Sequence, residues 1–292
     1  MASVGQWIEG ARPRTLPMAV APVIIGTAAA YGLDGAHWGR AALAALVALL
    51  MQVGVNYAND YSDGIRGTDA VRVGPLRLVG SGAAKPHHVK MAAFGALGLA
   101  MVAGLALVIL SQAWWLLLVG AGAVLAAWGY TGGKNPYGYM GLGDVFVFFF
   151  FGPVATLGTT FTQAGQVSPA AVLGSISTGL IAVALLMANN VRDIPTDSQV
   201  GKRTLAVRLG DRNARRSYVA MLAAAVALPL FLVPGERWLL LVLLLIPFML
   251  MPSWIMLKGK KRKSLIPVLQ QTGLLNLGFS ALFAVAMVLG RL

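Results

Sequence analysis

Apolar residues occur in nine runs along the chain, several of them about 20 residues long, with polar segments between them. A run of that length can cross the hydrocarbon core of a bilayer as an α-helix, because a helix rises about 1.5 Å per residue and the core is about 30 Å thick. The pattern predicts an all-α protein with nine transmembrane helices, and it leaves no room for a separate soluble domain, so residues 1–292 are expected to form one domain. The predicted spans lie near residues 16–33, 41–59, 91–110, 113–130, 145–163, 169–190, 217–233, 238–257 and 267–290.

The composition supports a membrane protein and excludes several other classes. Of the 292 residues, 58% are hydrophobic and only 11% are charged, whereas soluble domains carry about 25% charged residues. The chain has no cysteine, which excludes disulfides, thiol chemistry and zinc sites that need cysteine ligands. No small-residue cleavage site follows the first apolar run, so we expect that run to be a retained helix.

The formal net charge of +13 is explained by membrane topology. All but three of the 23 basic residues lie in the amino-terminal segment and in alternate connections between spans. Basic residues concentrate on the cytoplasmic side of membrane proteins, so the sequence predicts a cytoplasmic amino terminus and an extracytoplasmic carboxyl terminus in a bacterial cytoplasmic membrane. No nucleic-acid partner is needed to explain the charge, and the oligomeric state cannot be read from it. The basic connections are 60–90, 131–144, 191–216 and 258–266.

An acidic segment follows the second predicted span, within residues 54–82. Asn56, Asp60 and Asp63 stand at positions i, i+4 and i+7, which places them on one face if the helix continues. Asp69 follows beyond two glycines.

A second acidic segment follows the sixth predicted span. Asn189 and Asp193 are again four residues apart, and Asp197 is four further on. Pro195 disfavours helical conformation at the residue before it, so we expect Asp197 to lie just beyond the end of the helix.

These two segments indicate a magnesium site. Clustered carboxylates repel one another unless a cation lies between them, and oxygen ligands without His or Cys suit Mg²⁺, which usually also binds substrate phosphates. Nearby basic side chains would bind diphosphate oxygens. They are Arg72, Arg77, Lys134, Arg192, Lys202 and Arg208.

Two other interpretations are open at this point. A single motif of this kind can simply cap a helix or lie solvated in a loop. Two matching motifs on one side of the membrane favour a binding site over that interpretation. A cation-coupled transporter or channel would also bind ions, but it is expected to carry charges near the bilayer midplane, and the middle of nearly every span is uncharged.

A third polar segment, YTGGKNPYGYMGLGD, contains Tyr130 and Lys134, which are either site residues or interface anchors.

Three segments resemble the UbiA-type superfamily of intramembrane aromatic prenyltransferases: NDYSDGIRGTD with the following RVGPLRLV, then YTGGKNPYGYMGLGD, then NNVRDIPTDSQVGKRTLAVRLG. Further matches are similar to the branch that prenylates 1,4-dihydroxy-2-naphthoate for menaquinone synthesis, namely ARPRTLP, FFGPVATLGT and IPVLQQTG. Gly67 stands where ubiquinone-type relatives tend to have another Asp, and the Asp two residues later fits the naphthoate pattern. Asp144 stands where many members of that branch have Glu. Another aromatic acceptor, such as homogentisate, a haem precursor or a chlorin, is the first alternative.

The resemblance implies nine transmembrane helices around a central cavity, with the Asp-rich loops on its cytoplasmic face. It implies Mg²⁺-dependent transfer of a polyprenyl group from polyprenyl diphosphate to 1,4-dihydroxy-2-naphthoate, with loss of CO₂, giving demethylmenaquinol and diphosphate. One Mg²⁺ would be bound by Asn56, Asp60 and Asp63, with Asp69 as a further contributor. The second would be bound by Asn189, Asp193 and Asp197.

Other side chains receive roles by the same resemblance. Those expected to bind the diphosphate are Arg72, Arg77, Lys134, Arg192 and Lys202. Those expected to act in catalysis are Asp60, Asp193, Lys134 and Tyr130. From the chemistry of the reaction, three tyrosines either shelter the allylic cation by cation–π contact or serve in interface packing, namely Tyr57, Tyr61 and Tyr130. The candidates for binding the acceptor carboxylate are Arg12, Arg14 and Lys134.

Overall fold

The computed structural model describes residues 2–67 and 76–291, and the regular structure within these ranges is entirely helical. Asp69 and Arg72 lie outside the described residues. The α-helices are α1 (Val4–Ala11), α2 (Leu16–Gly32), α3 (Trp38–Ile65), α4 (Pro86–Ser111), α5 (Leu116–Gly129), α6 (Gly143–Phe149), α7 (Ala155–Ala164), α8 (Pro169–Gln199), α9 (Leu205–Ala227), α10 (Ile246–Leu257) and α11 (Ile266–Leu289). A π-helical stretch, Phe150–Val154, joins α6 to α7. The 3₁₀ segments are Pro13–Thr15, Tyr137–Met140, Leu228–Leu232, Arg237–Leu245 and Arg262–Leu265.

The nine predicted spans correspond one for one to apolar helical stretches in residues 2–67 and 76–291. Eight of these stretches are long and apolar enough to cross a bilayer, and α5 is a shorter apolar helix of 14 residues. The predicted span at 145–163 is α6 and α7 joined by the π-helical stretch. The prediction of an all-helical membrane bundle is therefore confirmed.

Local sequence signals set several helix boundaries. Proline occupies the first turn of α4, α8 and α11, where its missing N–H costs no hydrogen bond. The hydroxyl of Ser168 accepts a hydrogen bond from the backbone N–H of Ala171 at 3.1 Å and caps α8. Gly165, with φ of 70°, ends α7 in a left-handed conformation that favours glycine.

Small residues allow the helices around the centre to approach closely. A β-carbon at Gly26 of α2 would lie 2.5 Å from the carbonyl oxygen of Thr156 on α7. A β-carbon at Gly152 would lie 2.6 Å from the carbonyl oxygen of Ser175 on α8. These contacts pack the backbones of neighbouring spans against one another, as is typical of membrane helices.

The short helix α1 packs against the end of α3 that carries the first acidic segment. The hydroxyl of Tyr57 donates to the carbonyl oxygen of Trp7 at 2.9 Å, and the two rings meet edge to face with centroids 5.5 Å apart. The carboxylate of Glu9 accepts a hydrogen bond from the backbone N–H of Leu76 at 3.1 Å. The amino terminus therefore lies at the same end of the bundle as the acidic segments.

Two arginines bind helix ends at the opposite end of the bundle. Arg40 donates to the carbonyl oxygens of Leu110, at 2.6 Å, and Thr162, at 3.0 Å, near the carboxyl ends of α4 and α7. Arg291 binds the carbonyl oxygen of Tyr31 and the carboxylate of Asp34, where α2 ends. Because α1 adjoins the start of α2 and Arg291 adjoins its end, the two termini lie at opposite ends of the bundle.

The acidic residues of both segments that the structure describes lie on helices. Helix α3 continues through Asp63 to Ile65. Helix α8 continues to Gln199 with Pro195 inside it, so the prediction that Asp197 lies beyond the helix end is wrong. In this last part of α8 the hydroxyls of Thr196 and Ser198 donate to the carbonyl oxygens of Asp193 and Ile194 at 2.9 and 2.8 Å.

Candidate active site

A cavity of about 680 Å³ lies at the centre of the bundle, lined by residues of α2 to α8. Most of its wall is apolar, and the predicted central cavity is confirmed. Polar side chains line it near the carboxyl ends of α3 and α8, and we call this region the carboxylate end. Its residues are Asn56, Asn59, Asp63, Arg77, Asn189, Asn190, Asp193, Asp197 and Lys202.

Asp63 joins three separate segments at the carboxylate end. The hydroxyl of Tyr139 donates to its Oδ1 at 2.6 Å, and the Nζ of Lys202 lies 3.5 Å from the same oxygen. Nη2 of Arg77 lies 3.4 Å from Oδ2. Lys202 also packs over the ring of Tyr139, 4.4 Å from its centroid. The carboxylate is almost fully buried, so these cations and the phenol replace the water that it loses on burial.

Asp60 has a different environment from Asp63, although both were predicted to bind metal. Its two carboxylate oxygens accept hydrogen bonds from the backbone N–H groups of Leu78 and Val79 at 2.8 and 3.0 Å. Asp60 is 1% exposed and does not line the cavity. In this structure its carboxylate stabilises the segment 76–80, which carries Arg77 to Asp63.

The amide of Asn56 binds the junction between α1 and α2. Its Nδ2 donates to the carbonyl oxygen of Ala11 at 2.9 Å and to Oγ1 of Thr15 at 3.1 Å. Its Oδ1 accepts from Nε2 of Gln52 at 3.3 Å. Asn56 thus lines the cavity and also fixes the segment that follows α1.

On α8, Arg192 binds its neighbours on the same helix. Its Nε and Nη2 donate to the two carboxylate oxygens of Asp193, both at 2.7 Å, and Nη2 also donates to Oδ1 of Asn189 at 2.8 Å. Arg192 is buried and does not line the cavity, whereas Asn189, Asp193 and Asp197 do. Its charge therefore neutralises and orients Asp193. Of the predicted diphosphate ligands that the structure describes, Arg77 and Lys202 face the cavity.

The segment after α5 brings only part of the predicted set to the cavity. Tyr130 lines the cavity, but Lys134 is exposed and does not. The chain leaves the helix at Tyr130, so the four-residue spacing no longer places the two side chains on one face. Tyr57 and Tyr61 also lie outside the cavity wall.

Several residues of the site were not singled out from the sequence. Asn59 lies beside Asp60 but off the i, i+4 spacing, and its Oδ1 accepts from the hydroxyl of Thr131 at 2.7 Å. Tyr139 lies in the Gly- and Pro-rich turn after α5, where no periodicity shows which way a side chain points. Asn190 follows Asn189 directly and also lines the cavity. The four-residue spacing to Asp193 had singled out Asn189 alone.

The oxygen ligands at the carboxylate end fit Mg²⁺ only with help from substrate and water. Among the described residues, no three of Asp, Glu, His and Cys lie close enough together to hold a metal ion. Amide oxygens of Asn56 and Asn189 add to the carboxylates of Asp63, Asp193 and Asp197. Mg²⁺ typically takes one or two carboxylates, several waters and substrate phosphate oxygens, so this set fits that ion better than it fits a metal that needs a complete protein cage.

An apolar helical bundle around a cavity with one charged end defines an integral membrane protein whose internal cavity suits a ligand that is mostly apolar and polar at one end. Residues 19–289 match the profile described as the UbiA prenyltransferase family, and the chain belongs to that family. The family predicted from the three motif segments is therefore confirmed.

Individual relatives agree with the family assignment. The chain is 50% identical over 292 residues to the 1,4-dihydroxy-2-naphthoate octaprenyltransferase of Mycobacterium tuberculosis, covering 100% of both chains. It is 38% identical over 275 residues to the enzyme of that name from Escherichia coli, covering 91% of this chain and 89% of the relative. Its fold is similar to that of a UbiA homolog from Archaeoglobus fulgidus bound to DMAPP and Mg²⁺, with a TM-score of 0.69 at 17% identity over 97% of this chain and 99% of the other.

Proposed function

We propose that this chain transfers a polyprenyl group from a polyprenyl diphosphate to 1,4-dihydroxy-2-naphthoate in a Mg²⁺-dependent reaction. The allylic carbon–oxygen bond breaks, a carbon–carbon bond forms to the ring, the carboxylate leaves as CO₂, and the other products are demethylmenaquinol and diphosphate. The observation that carries this proposal is the 50% identity over the full chain to a relative whose name states that acceptor. The charged end of an otherwise apolar cavity supports it.

In this proposal the carboxylate end binds the head group of the donor. Asn56 and Asp63 on one side, and Asn189, Asp193 and Asp197 on the other, would hold Mg²⁺. When bound, Mg²⁺ supplies positive charge that stabilises the departing diphosphate. The cations Arg77 and Lys202 donate to diphosphate oxygens.

Other residues act through the ones that touch substrate. Asp60 positions the segment 76–80 and hence Arg77. Arg192 orients Asp193. Asp69 and Arg72 keep the roles predicted from the motif and lie outside the described residues. The orientation with the carboxylate end toward the bacterial cytoplasm is part of the proposal and rests on the distribution of basic residues.

The apolar wall of the cavity binds the polyprenyl chain and excludes water, which protects the allylic cation from hydrolysis. Tyr130 lines this wall, and its ring face stabilises positive charge through its quadrupole. The nucleophile is the electron-rich ring of the acceptor, so the chain needs to orient that ring but supplies no covalent nucleophile of its own.

A product assay tests the proposal. The purified protein in mild detergent is incubated with 1,4-dihydroxy-2-naphthoate and a polyprenyl diphosphate, with Mg²⁺ or with EDTA, and products are identified by mass spectrometry. We expect a prenylated and decarboxylated product only with Mg²⁺, and none from the Asp193→Asn variant. Product from another phenol but none from the naphthoate would overturn the acceptor assignment. A folded protein that gives no product with any phenol would overturn prenyl transfer itself.

A further inference from the structure

The junction between α1 and α2 forms one corner of the cavity, which we call the α1–α2 corner and define by Arg12, Thr15, Gln52 and Asn56, all of which line the cavity. The amides of Gln52 and Asn56, one helical turn apart on α3, donate to the hydroxyl of Thr15 at 3.2 and 3.1 Å. The hydroxyl of Thr15 in turn donates to the carbonyl oxygen of Arg12 at 2.9 Å. Two buried side chains of α3 therefore fix the position of the segment that carries Arg12.

Arg12 has a backbone conformation that non-glycine residues rarely adopt. Its φ and ψ are 56° and 67°, in the left-handed region. The conformation is held by the bond from Thr15 and by the bond from the N–H of Arg12 to the carbonyl oxygen of Glu9 at 3.0 Å. Strained backbone of this kind persists where the surrounding structure enforces it, and it is concentrated at ligand sites.

The three cations considered for the acceptor carboxylate are now distinguished by position. Arg14 and Lys134 are exposed and do not line the cavity. Arg12 is half-buried and lines it. The two other cations of the cavity wall named above, Arg77 and Lys202, contact Asp63 at the carboxylate end.

Gln52 contributes a hydrogen-bond acceptor to the same corner. Its Nε2 donates both to Thr15 and to Asn56, which orients the amide and directs Oε1 away from those two partners. Gln52 is 8% exposed, and its Oε1 has no hydrogen-bond partner within residues 2–67 and 76–291. A buried carbonyl oxygen without a partner is unfavourable, and a ligand hydroxyl would satisfy it.

We propose that the α1–α2 corner is the acceptor subsite: Arg12 binds the carboxylate of an aromatic acid, and Oε1 of Gln52 accepts a hydrogen bond from a hydroxyl of its ring. This proposal rests on the function proposed above and identifies residues that select the acceptor. Asn56, one turn from Gln52, is also a candidate metal ligand, so a ring bound at this corner lies beside the reacting end of the donor. The acid and the hydroxyl are the two features that distinguish a hydroxynaphthoate from a plain naphthalene.

Two stable probes isolate the contribution of the carboxylate: 1-hydroxy-2-naphthoate, and 1-naphthol, which lacks the acid. Their equilibrium binding to the full chain in detergent is measured by titration calorimetry without a prenyl donor. We expect the wild type to bind the acid about 10- to 100-fold more tightly than the naphthol, the value of hydrogen bonds to a charged group. Arg12→Met removes this preference and leaves 1-naphthol affinity unchanged, and Arg12→Lys restores part of it. The matched control Arg14→Met, two residues away with an exposed side chain, retains the full preference.

A second variant tests the hydroxyl contact. Gln52→Met keeps the side-chain length and removes Oε1, and we expect it to weaken 1-naphthol binding about 3- to 10-fold. It leaves the preference for the acid intact, because Arg12 is still present. Unchanged 1-naphthol affinity in Gln52→Met would remove Gln52 from the subsite.

One result would overturn the role of Arg12: an Arg12→Met variant that still prefers the acid by the wild-type factor. Equal weakening of both probes is a form of that result, because the ratio of the two affinities is then unchanged. Weaker binding of inorganic diphosphate with Mg²⁺ in the same variant would make Arg12 a donor ligand instead. If wild-type protein meanwhile converts 1,4-dihydroxy-2-naphthoate to product, only the subsite fails; if it prenylates another phenol instead, the proposed function fails.

Discussion

Replacing Asp60 with alanine should release the segment 76–80 from α3. The substitution removes the acceptor of two backbone N–H groups, those of Leu78 and Val79, at 2.8 and 3.0 Å. A hydrogen bond to a charged group contributes about 1.5–3 kcal/mol, so the two together contribute about 3–6 kcal/mol. Because 1.4 kcal/mol is a factor of ten in an equilibrium constant, even the lower value makes local opening about 100-fold more frequent.

Hydrogen–deuterium exchange measures this opening directly. We expect the amides of Leu78 and Val79 to exchange about 100-fold faster in Asp60→Ala than in the wild type, in the same detergent and without substrate. The matched control is Ser62→Ala, because Ser62 is equally buried on the same turn and its hydroxyl has no hydrogen-bond partner in the described part of the chain. Its exchange in segment 76–80 should equal that of the wild type.

An Asp60→Ala variant that loses turnover while these two amides exchange at the wild-type rate would contradict the role of Asp60 in holding segment 76–80. The carboxylate would then act on the metal alone. From charge alone, removing one of several clustered carboxylates should relieve repulsion and leave the free energy of unfolding unchanged or improved. The two hydrogen bonds reverse that expectation.

Four further substitutions test other contacts. Tyr139→Phe keeps the ring beneath Lys202 but removes the hydrogen bond to Asp63, so the Mg²⁺ concentration for half-maximal turnover should rise about 10-fold; an unchanged Mg²⁺ requirement would contradict the assignment. Lys134→Met should lower kcat/KM by less than about fivefold and Lys202→Met by about 10- to 100-fold, whereas equal losses would show that the exposed lysine reaches the substrate. Arg40→Met should lower the free energy of unfolding by about 1–3 kcal/mol, measured by denaturation in detergent, with kcat/KM unchanged; lost activity without lost stability would argue against a purely structural role.

The sequence predicted the membrane spans well because hydrophobic length is the signal that a bilayer requires. It also placed Asn56, Asp60 and Asp63 on one side of α3. That spacing cannot distinguish a side chain that faces the cavity from one that faces a neighbouring segment, since positions i+4 and i+7 still differ by about 60° around the helix axis. Asp60 contacts backbone groups 18 and 19 residues away, and no local pattern encodes that pairing.

The same limit applies where helices end. The prediction for Asp197 failed because Pro195 is only a local bias, and α8 continues past it to Gln199. Lys134 was assigned to the site by its motif segment, but it lies beyond the last helical residue of α5, where the sequence does not show which way a side chain points. Arg12 shows the converse: the sequence offered it as one of three candidates for the acceptor carboxylate without ranking them, and its place on the cavity wall depends on the amides of α3.

The contacts of α1 described above also order events during synthesis. Its hydrogen bonds to Tyr57 and Leu76 join residues about 50 and 70 positions apart in sequence. At translation rates of about 5–20 residues per second, the ribosome needs roughly 3–14 s after making α1 to supply the second partner. Tyr57 is made first and Leu76 later, so the first helix lacks at least one of these partners throughout that interval. This end of the cavity cannot assemble before segment 76–80 has been made. A fusion tag at the amino terminus would be attached to the helix that packs only after this delay. A tag at the carboxyl terminus, at the far end of the bundle, would not touch that helix.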